Sequence, residues 1–276
     1  MSKTNPFQTK KSLGQYFLNS SIVPQWMCDA AAVEAGDVVI EVGPGTGIMT
    51  AELLAHGARV IAIEADKRAV AILKEKFSDE DTAGMLTIHH ADIRTFDLTE
   101  LNVSDHSYSV VSNIPYYLTG MLFRLFLEHT RQPARLVFLV QKEVAKRATA
   151  SRQRGEKESL LSLSIKLYGT PKYIRTVPRG HFSPQPNVDS AILAIEDITK
   201  SRVADIGEER IFSILHLGFG QKRKQLLGNL SKCYPRADLI NIFSTLSIPH
   251  DIRAEDLDLD TWLALIQKLP KTKSTL

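Results

Sequence analysis

The stretch Val38-Val39-Ile40-Glu41-Val42-Gly43-Pro44-Gly45-Thr46-Gly47 is a continuous apolar run closed by spaced glycines, and an amphipathic segment with Ile48, Met49, Leu53 and Leu54 follows it. That order predicts a strand, a tight turn and a helix. Glycines at such a turn accept positive φ and let a ligand approach the backbone where a side chain would collide. The spacing is G-x-G-x-G, whereas a dinucleotide fingerprint is G-x-G-x-x-G, and Ile48 stands where its last glycine belongs. The loop therefore need not cradle a pyrophosphate. Glu41, just before it, suits a cationic ligand better than a phosphate.

Three more signals follow apolar runs in turn. Glu64 ends Val60-Ile61-Ala62-Ile63 about twenty residues after the glycines, where a second strand places a carboxylate over ribose hydroxyls. Asp92 follows Leu86-Thr87-Ile88-His89, at the end of a third strand, and can accept from an adenine amine. Asn113-Ile114-Pro115-Tyr116 follows Tyr108-Ser109-Val110-Val111. Alone, that tetrapeptide reads first as a turn, because Asn and Pro punctuate chains everywhere. It also offers an amide oxygen, a backbone carbonyl and an aromatic ring, which together can hold the exocyclic amine of a flat base. Glycine loop, ribose carboxylate, adenine carboxylate and Asn-x-Pro-Tyr, in that order, describe an S-adenosylmethionine-dependent methyltransferase acting on an amino nitrogen.

The rest of the chain sets the frame. It has 276 residues, 43% of them hydrophobic, enough for a full core and more than one average domain. A net charge of only +3 confines any RNA surface to a local patch. Cys28 and Cys233 lie far apart without histidines at ligand spacing, so neither a disulfide nor a metal site is expected. No apolar stretch reaches membrane-spanning length and the start Met1-Ser2-Lys3-Thr4-Asn5-Pro6 has no apolar signal region, so a soluble, cytoplasmic protein is expected.

Strand and helix patterns alternate through the first two thirds: helices over Pro24–Ala35, Asp66–Phe77 and Leu118–Thr130, and a strand over Ala134–Gln141. This predicts an α/β fold, a parallel sheet with helices on both faces and the ligand at the carboxyl ends of the strands. Thr149–Glu158 reads as a mobile surface loop, with an RNA-contacting role as the alternative. Lys172–Val177 and Val188–Ile195 read as an antiparallel pair closing the sheet. Between them, His181-Phe182-Ser183-Pro184-Gln185-Pro186 is a rigid turn whose Phe182 is either core or a wall for a stacked base. After about Thr199 strands cease and helices are expected over Glu208–Leu230, Arg236–Leu246 and Leu257–Leu269. The expected division is 1–199, a catalytic domain, and 200–276, a smaller helical domain that contacts RNA. Lys222, Arg223 and Lys224 read either as a solvated face or as a phosphate-contacting patch.

Several segments together resemble the KsgA family of small-subunit ribosomal RNA adenine N6,N6-dimethyltransferases. They are Lys11–Leu18, EVGPGTG at 41–47, Asn113–Tyr116, Gln141–Ala145, FSPQPNVDSAIL at 182–193 and GFGQKRKQL at 218–226, and they span nearly the whole chain. Where family members place Asn or His, this chain has Tyr16, which leaves a backbone contact as that position's offer. Ile114 stands in place of a more usual Leu.

The resemblance implies a Rossmann-like S-adenosylmethionine-dependent sheet. It implies that Tyr16 and Leu18 close over the cofactor, Gly43 and Gly45 approach its methionine portion, Glu64 binds its ribose and Asp92 its adenine amine. Asn113 would touch cofactor and target. The extruded adenine would stack on Tyr116 near Phe182, its N6 donating to the Asn113 side chain and the Pro115 carbonyl. The implied partner is 16S ribosomal RNA in the small subunit, met by a monomer in ribosome biogenesis. Other readings are a macrolide-resistance methyltransferase acting on large-subunit RNA, a non-catalytic assembly factor, and a small-molecule N-methyltransferase. The intact motif residues argue against the second, and the extra helical domain argues against the third.

Overall fold

The computed structural model describes residues 16–270, so Lys11–Gln15 of the N-terminal motif lie outside the described residues. In chain order the first half comprises β1 (Phe17–Leu18), α1 (Ile22–Ala31), β2 (Val38–Val42), α2 (Ile48–Ala55) and β3 (Arg59–Glu64). Then come α3 (Lys67–Lys76), α4 (Ser78–Thr82), β4 (Leu86–His90), β5 (Tyr108–Asn113), α5 (Thr119–Leu127) and β6 (Arg135–Gln141). The remainder is α6 (Lys142–Ala148), α7 (Leu160–Lys166), β7 (Thr170–Val177), β8 (Phe182–Ser183), β9 (Ser190–Glu196), α8 (Ser201–Ala204), α9 (Glu208–Phe219), α10 (Leu226–Leu230), α11 (Arg236–Thr245) and α12 (Leu259–Lys268).

Seven strands form one sheet in the order β4-β3-β2-β5-β6-β9-β7. The first five run parallel, and β9 returns antiparallel to β6. Parallel strands need both faces covered, which is why β6 is apolar and buried without alternation from Leu136 to Val140 and β2 buries Val39, Ile40 and Val42 alike. Val23, Met27 and Cys28 of α1 and Met49 and Leu53 of α2 join one core cluster with residues of β2, β5, β6 and β9. Among the α5 aromatics, Phe123 and Phe126 lie 5.5 and 6.5 Å from Phe138 of β6. The fold is α/β and Rossmann-like. Its chain order reverses direction between β2 and β5, and the carboxyl ends of those two strands border the crevice where such sheets take ligands. The sequence brings the glycine loop to one lip and Asn113 to the other.

Local chemistry explains most element ends. Asp66 caps α3 by accepting from the Arg68 N–H, and Asp258 caps α12 by accepting from Thr261 N–H. α1 begins two residues before the expected Pro24, a first-turn position that needs no N–H, and ends where Ala32 turns left-handed with φ +47°.

The helix expected over 208–230 is broken. α9 stops at Phe219, residues 220–225 make turns, and α10 starts at Leu226. Buried Asn229 reaches back, donating Nδ2 to the Gly218 carbonyl at 2.6 Å and the Gln221 carbonyl at 3.3 Å. These bonds satisfy acceptors that the end of α9 leaves open. Lys222, Arg223 and Lys224 consequently sit on an exposed turn rather than along a helix.

Backbone packing divides the chain into two compact units. One joins the chain up to Ala145 with Lys172–Ile198; the other joins Lys146–Pro171 with residues from Thr199 onward. A single boundary at 199/200 therefore leaves out residues 146–171, which pack with the later helices. Buried Glu158 pairs with half-buried Lys166 at 2.5 Å within that second unit, and the Ser162 hydroxyl donates to Glu158 at 2.6 Å. The loop expected to be mobile is exposed but tied, with Arg154 paired to Glu156, Arg152 to Asp256 and Lys157 to Glu255. No helix of the described residues is long and apolar enough to cross a membrane.

Candidate active site

Three glycines follow β2, and each does something different. Gly43, Gly45 and Gly47 all have positive φ, at +67°, +58° and +74°. A Cβ built on Gly45 would stand 2.7 Å from Phe17 Cε1, and one on Gly47 would stand 2.6 Å from Phe77 Cε2. Those two glycines let neighbouring rings close onto the loop. A Cβ on Gly43 would meet nothing within 4 Å. Gly43 is thus the position where the backbone faces open space, while its N–H is anchored to the Ile63 carbonyl at 2.9 Å.

Glu64, at the end of β3, is buried and already at work on the loop. One carboxylate oxygen accepts from the Gly45 N–H at 3.0 Å, the other from the Asp66 N–H at 2.8 Å. Burial pushes its carboxyl above the usual range, and the Asp66 and Gly45 amides pull the other way. A carboxylate has about four lone-pair sites, so these two bonds leave room for hydroxyl donors. Asp92, after β4, accepts from the Arg94 N–H at 2.9 Å and from its guanidinium at 2.6 Å. The Arg94 side chain holds this carboxyl below the usual carboxylate range. Glu41 lies deeper, with Oε2 accepting from the Thr50 hydroxyl at 2.7 Å, and burial pushes it up to about 8.

Asn113 closes β5, and its neighbour Ser112 accepts the Val42 N–H of β2 at 2.8 Å, locking the two lips together. Asn113 Nδ2 donates to the Tyr16 carbonyl at 3.2 Å. The position that departs from the family pattern thereby contributes its backbone. The Tyr16 ring also packs against Tyr116, centroids 5.5 Å apart, and the Tyr116 hydroxyl shares a 2.7 Å hydrogen bond with Ser190 of β9.

Two expectations change here. The Pro115 carbonyl accepts the Leu118 N–H at 2.9 Å, because residues 116–118 wind into a 3-10 turn. Among the described residues the Ile114 carbonyl accepts no hydrogen bond, and Ile114 lines the cavity. Phe182 is buried, 3% exposed, within the core cluster, and pairs with Leu18 across the β1–β8 ladder. It presents no face to a base; Tyr16 is the ring beside Tyr116.

The cavity has a volume of about 400 Å³, within the ~300–1,000 Å³ range of small-molecule sites. It gathers Tyr16, Leu18, Gly43, Gly45, Glu64 and Asp92, with Asn113, Pro115 and Tyr116 on the opposite lip. Tyr117, which sequence reasoning passed over, also lines it and is 60% exposed. Doubled tyrosines after the proline were the available signal. Lys222, Arg223 and Lys224 belong to the second compact unit; all are exposed, and none has an ion-pair partner among the described residues.

A family model described as ribosomal RNA adenine dimethylase matches residues 6–271. The chain is 36% identical over 260 residues to the ribosomal RNA small subunit methyltransferase A of Dehalococcoides mccartyi, covering 94% of this chain and 87% of that one. It is 34% identical over 274 residues to the protein of the same name from Bacillus pumilus, covering 96% and 92%. A crystal structure of a dimethyladenosine transferase from Plasmodium falciparum is similar with TM-score 0.76 at 23% identity, over 90% of this chain and 95% of that one. That of the 23S rRNA methyltransferase ErmE gives 0.71 at 24%, over 92% and 99%. At such identities these two structures speak to the fold alone, and both share it.

Proposed function

This chain belongs to the ribosomal RNA adenine dimethylase family, and from that membership we propose that it transfers two methyl groups from S-adenosylmethionine to the N6 of adenine in 16S ribosomal RNA. The proposal includes a single chain acting in the cytoplasm on the small subunit during its biogenesis. One observation carries the chemistry: Asn113, its amide nitrogen tied to Tyr16, stands across the β2–β5 crevice from a glycine loop open at Gly43.

The site suits the cofactor. Gly43 leaves space for a ligand atom against the backbone, Glu64 retains capacity for ribose hydroxyls, and Asp92 is held ionised to accept an adenine amine. Four carboxyl groups, Glu41, Glu64, Asp66 and Asp92, line the cavity alongside the cations Lys67 and Arg94, and the carboxylates suit a cationic ligand. S-adenosylmethionine, when bound, supplies a methyl group on a cationic sulfur, open to attack by a nitrogen lone pair.

The protein's own contribution is geometric. An aniline-like N6 is a weak nucleophile because its lone pair is delocalised into the ring. Two acceptors outside the ring plane draw the nitrogen toward a pyramidal shape and free that pair. Asn113 Oδ1 is the first acceptor. The Ile114 carbonyl replaces Pro115 as the second: among the described residues it accepts no hydrogen bond, whereas the Pro115 carbonyl already gives one lone pair to the Leu118 N–H. Tyr116, fixed through Ser190, holds the base. Positioning of this kind lowers a barrier by roughly 7–11 kcal/mol at best. The methylated nitrogen sheds its proton readily, so no side chain is assigned as a general base. A neutral amide at 113 is preferable to a carboxylate, which would stabilise the cationic ground state.

The test is transfer of labelled methyl groups to small ribosomal subunits that lack the modification, followed by mapping of the labelled bases. Paired label on adenine N6 in 16S RNA is expected. Label in large-subunit RNA, or none despite cofactor binding, would overturn the proposal.

A further inference from the structure

Tyr117 has no part in the chemistry above, yet its setting is unusual. At 60% it is the most exposed large apolar side chain among the described residues. It stands on the cavity rim beside the residues that hold the target. Exposed tyrosines are common on protein surfaces, so exposure alone means little. Presentation is what distinguishes this one. Residues 116–118 form a 3-10 turn, in which successive side chains point about 120° apart. Tyr116 turns inward to Ser190, and Tyr117 turns outward. The turn is braced at both ends, by the Leu118 N–H on the Pro115 carbonyl and the Thr119 hydroxyl on the Tyr116 carbonyl, each at 2.9 Å. An aromatic ring is thus held out from the rim on a fixed backbone.

Cations share that rim. Lys67 and Arg94 both line the cavity and are exposed. Lys67 has no ion-pair partner among the described residues, and Arg94, although bound to Asp92, keeps 61% of its side chain in solvent. A rigid aromatic face on a rim that also carries cations, with Arg94 within electrostatic reach of Tyr117, is the combination that holds a nucleotide, through base stacking and phosphate contact. The target adenine already has Tyr116. A ring further out on the same lip meets the next base along the strand.

Resting on the function proposed above, we propose that Tyr117, with Lys67 and Arg94, forms a subsite for the nucleotide adjoining the target adenine. The ring stacks on that base, and the cations contact the phosphates beside it. Tyr117 is then a determinant of which adenine is chosen.

The experiment compares the parent protein with Tyr117→Ala and Tyr117→Phe on unmodified small subunits. Binding of RNA, binding of cofactor and single-turnover methyl transfer are measured separately. Tyr117→Ala is expected to weaken RNA binding by about 5–150-fold, the loss of one stacked base. Tyr117→Phe should bind as the parent does, and cofactor affinity should be unchanged in both. Subunits reconstituted with an abasic site next to the target adenine supply the decisive arm. On the correct side of the target, the abasic site should abolish the difference between Tyr117→Ala and parent. A penalty that persists on both abasic substrates overturns the subsite. So does a Tyr117→Ala variant whose cofactor affinity falls while RNA binding holds, because the ring would then be a cofactor wall. A parent that methylates no small-subunit RNA sinks the functional reading itself. An active parent with an indistinguishable Tyr117→Ala variant sinks only the subsite.

Discussion

Asn113 donates its side-chain N–H to the Tyr16 carbonyl at 3.2 Å, a bond between residues 97 positions apart. A carbonyl can only accept, so the amide nitrogen must face Tyr16 and Oδ1 is left as the group's acceptor. The bond therefore selects one of the two amide orientations, the one in which Asn113 can receive an amine.

Removing that acceptor should act on rate. Asn113→Ala is expected to lower the single-turnover methyl-transfer rate by roughly 100-fold, the usual scale for losing one preorganised group where charge develops. Asn113→Asp keeps an acceptor but sets a carboxylate oxygen against the Tyr16 carbonyl, and should fare no better at neutral pH. A parent-like rate for Asn113→Ala at saturating RNA and cofactor would exclude the proposed mechanism.

Glu64 joins two tasks, so its variants should show both. Glu64→Ala leaves the Gly45 and Asp66 N–H groups without their acceptor and removes the hydroxyl partner, each worth about 1–3 kcal/mol. Denaturant midpoint and cofactor affinity should fall together. Cofactor affinity that stays at the parent value in titration calorimetry would take Glu64 out of the ligand site.

What the sequence carried was local. Val38–Gly47 announced its strand, turn and helix because hydrophobic period and glycine spacing are chain-local properties. The neighbourhood of β2 and β5, strands separated in the chain by two other strands and three helices, depends on pairing between distant segments, and only the motif order hinted at it. Phe182 was ambiguous between core and site until the β1–β8 ladder buried it. Whether Ile114 or Pro115 offers a carbonyl is decided by a 3-10 turn that no residue type dictates. The break after Phe219 depends on Asn229 reaching back across the turn, a contact hidden from helical periodicity.

Glu41 makes the site pH-sensitive. Burial raises its carboxyl from 4.5 to about 8; the nearby Glu64 charge adds to this, while the Thr50 hydroxyl and Lys76 oppose it. Between those values the folded protein holds a proton that the unfolded chain has lost, so stability should fall as pH rises through this window. A cation in the cavity favours the ionised form, so cofactor binding should release protons near pH 7 and tighten with rising pH until about 8. Calorimetry in buffers of different ionisation enthalpy counts those protons. Glu41→Gln should release none; equal release from parent and variant would place the titrating group elsewhere.

The glycines should separate binding from stability. Gly47→Ala combines φ +74° with a Cβ 2.6 Å from Phe77, and should cost about 1–3 kcal/mol of stability. Gly43→Ala meets no neighbour, so its stability cost should be only the ~1–2 kcal/mol of a left-handed backbone. Its methyl group enters the cavity instead, and cofactor affinity should suffer more than the unfolding midpoint. Parent-like affinity for a folded Gly43→Ala would show that the ligand does not approach there.

The cations at 222–224 offer a test in the second unit. Three exposed charges, unpaired among the described residues, on a turn fixed by Asn229 fit contacts to RNA phosphates. Each neutralised phosphate releases counterions, contributing about 0.7 to the logarithmic salt slope on single strands and about 0.9 on duplex. Replacing Lys222, Arg223 and Lys224 with Ala should therefore flatten that slope by about 2–3, while cofactor affinity stays as in the parent. Stability should hardly change, because exposed side chains without partners contribute little to the fold. Measuring RNA affinity across a salt series separates a phosphate contact from a solvated face. A slope equal to the parent's would mean that these three charges face only water and that the RNA is held by other parts of the protein.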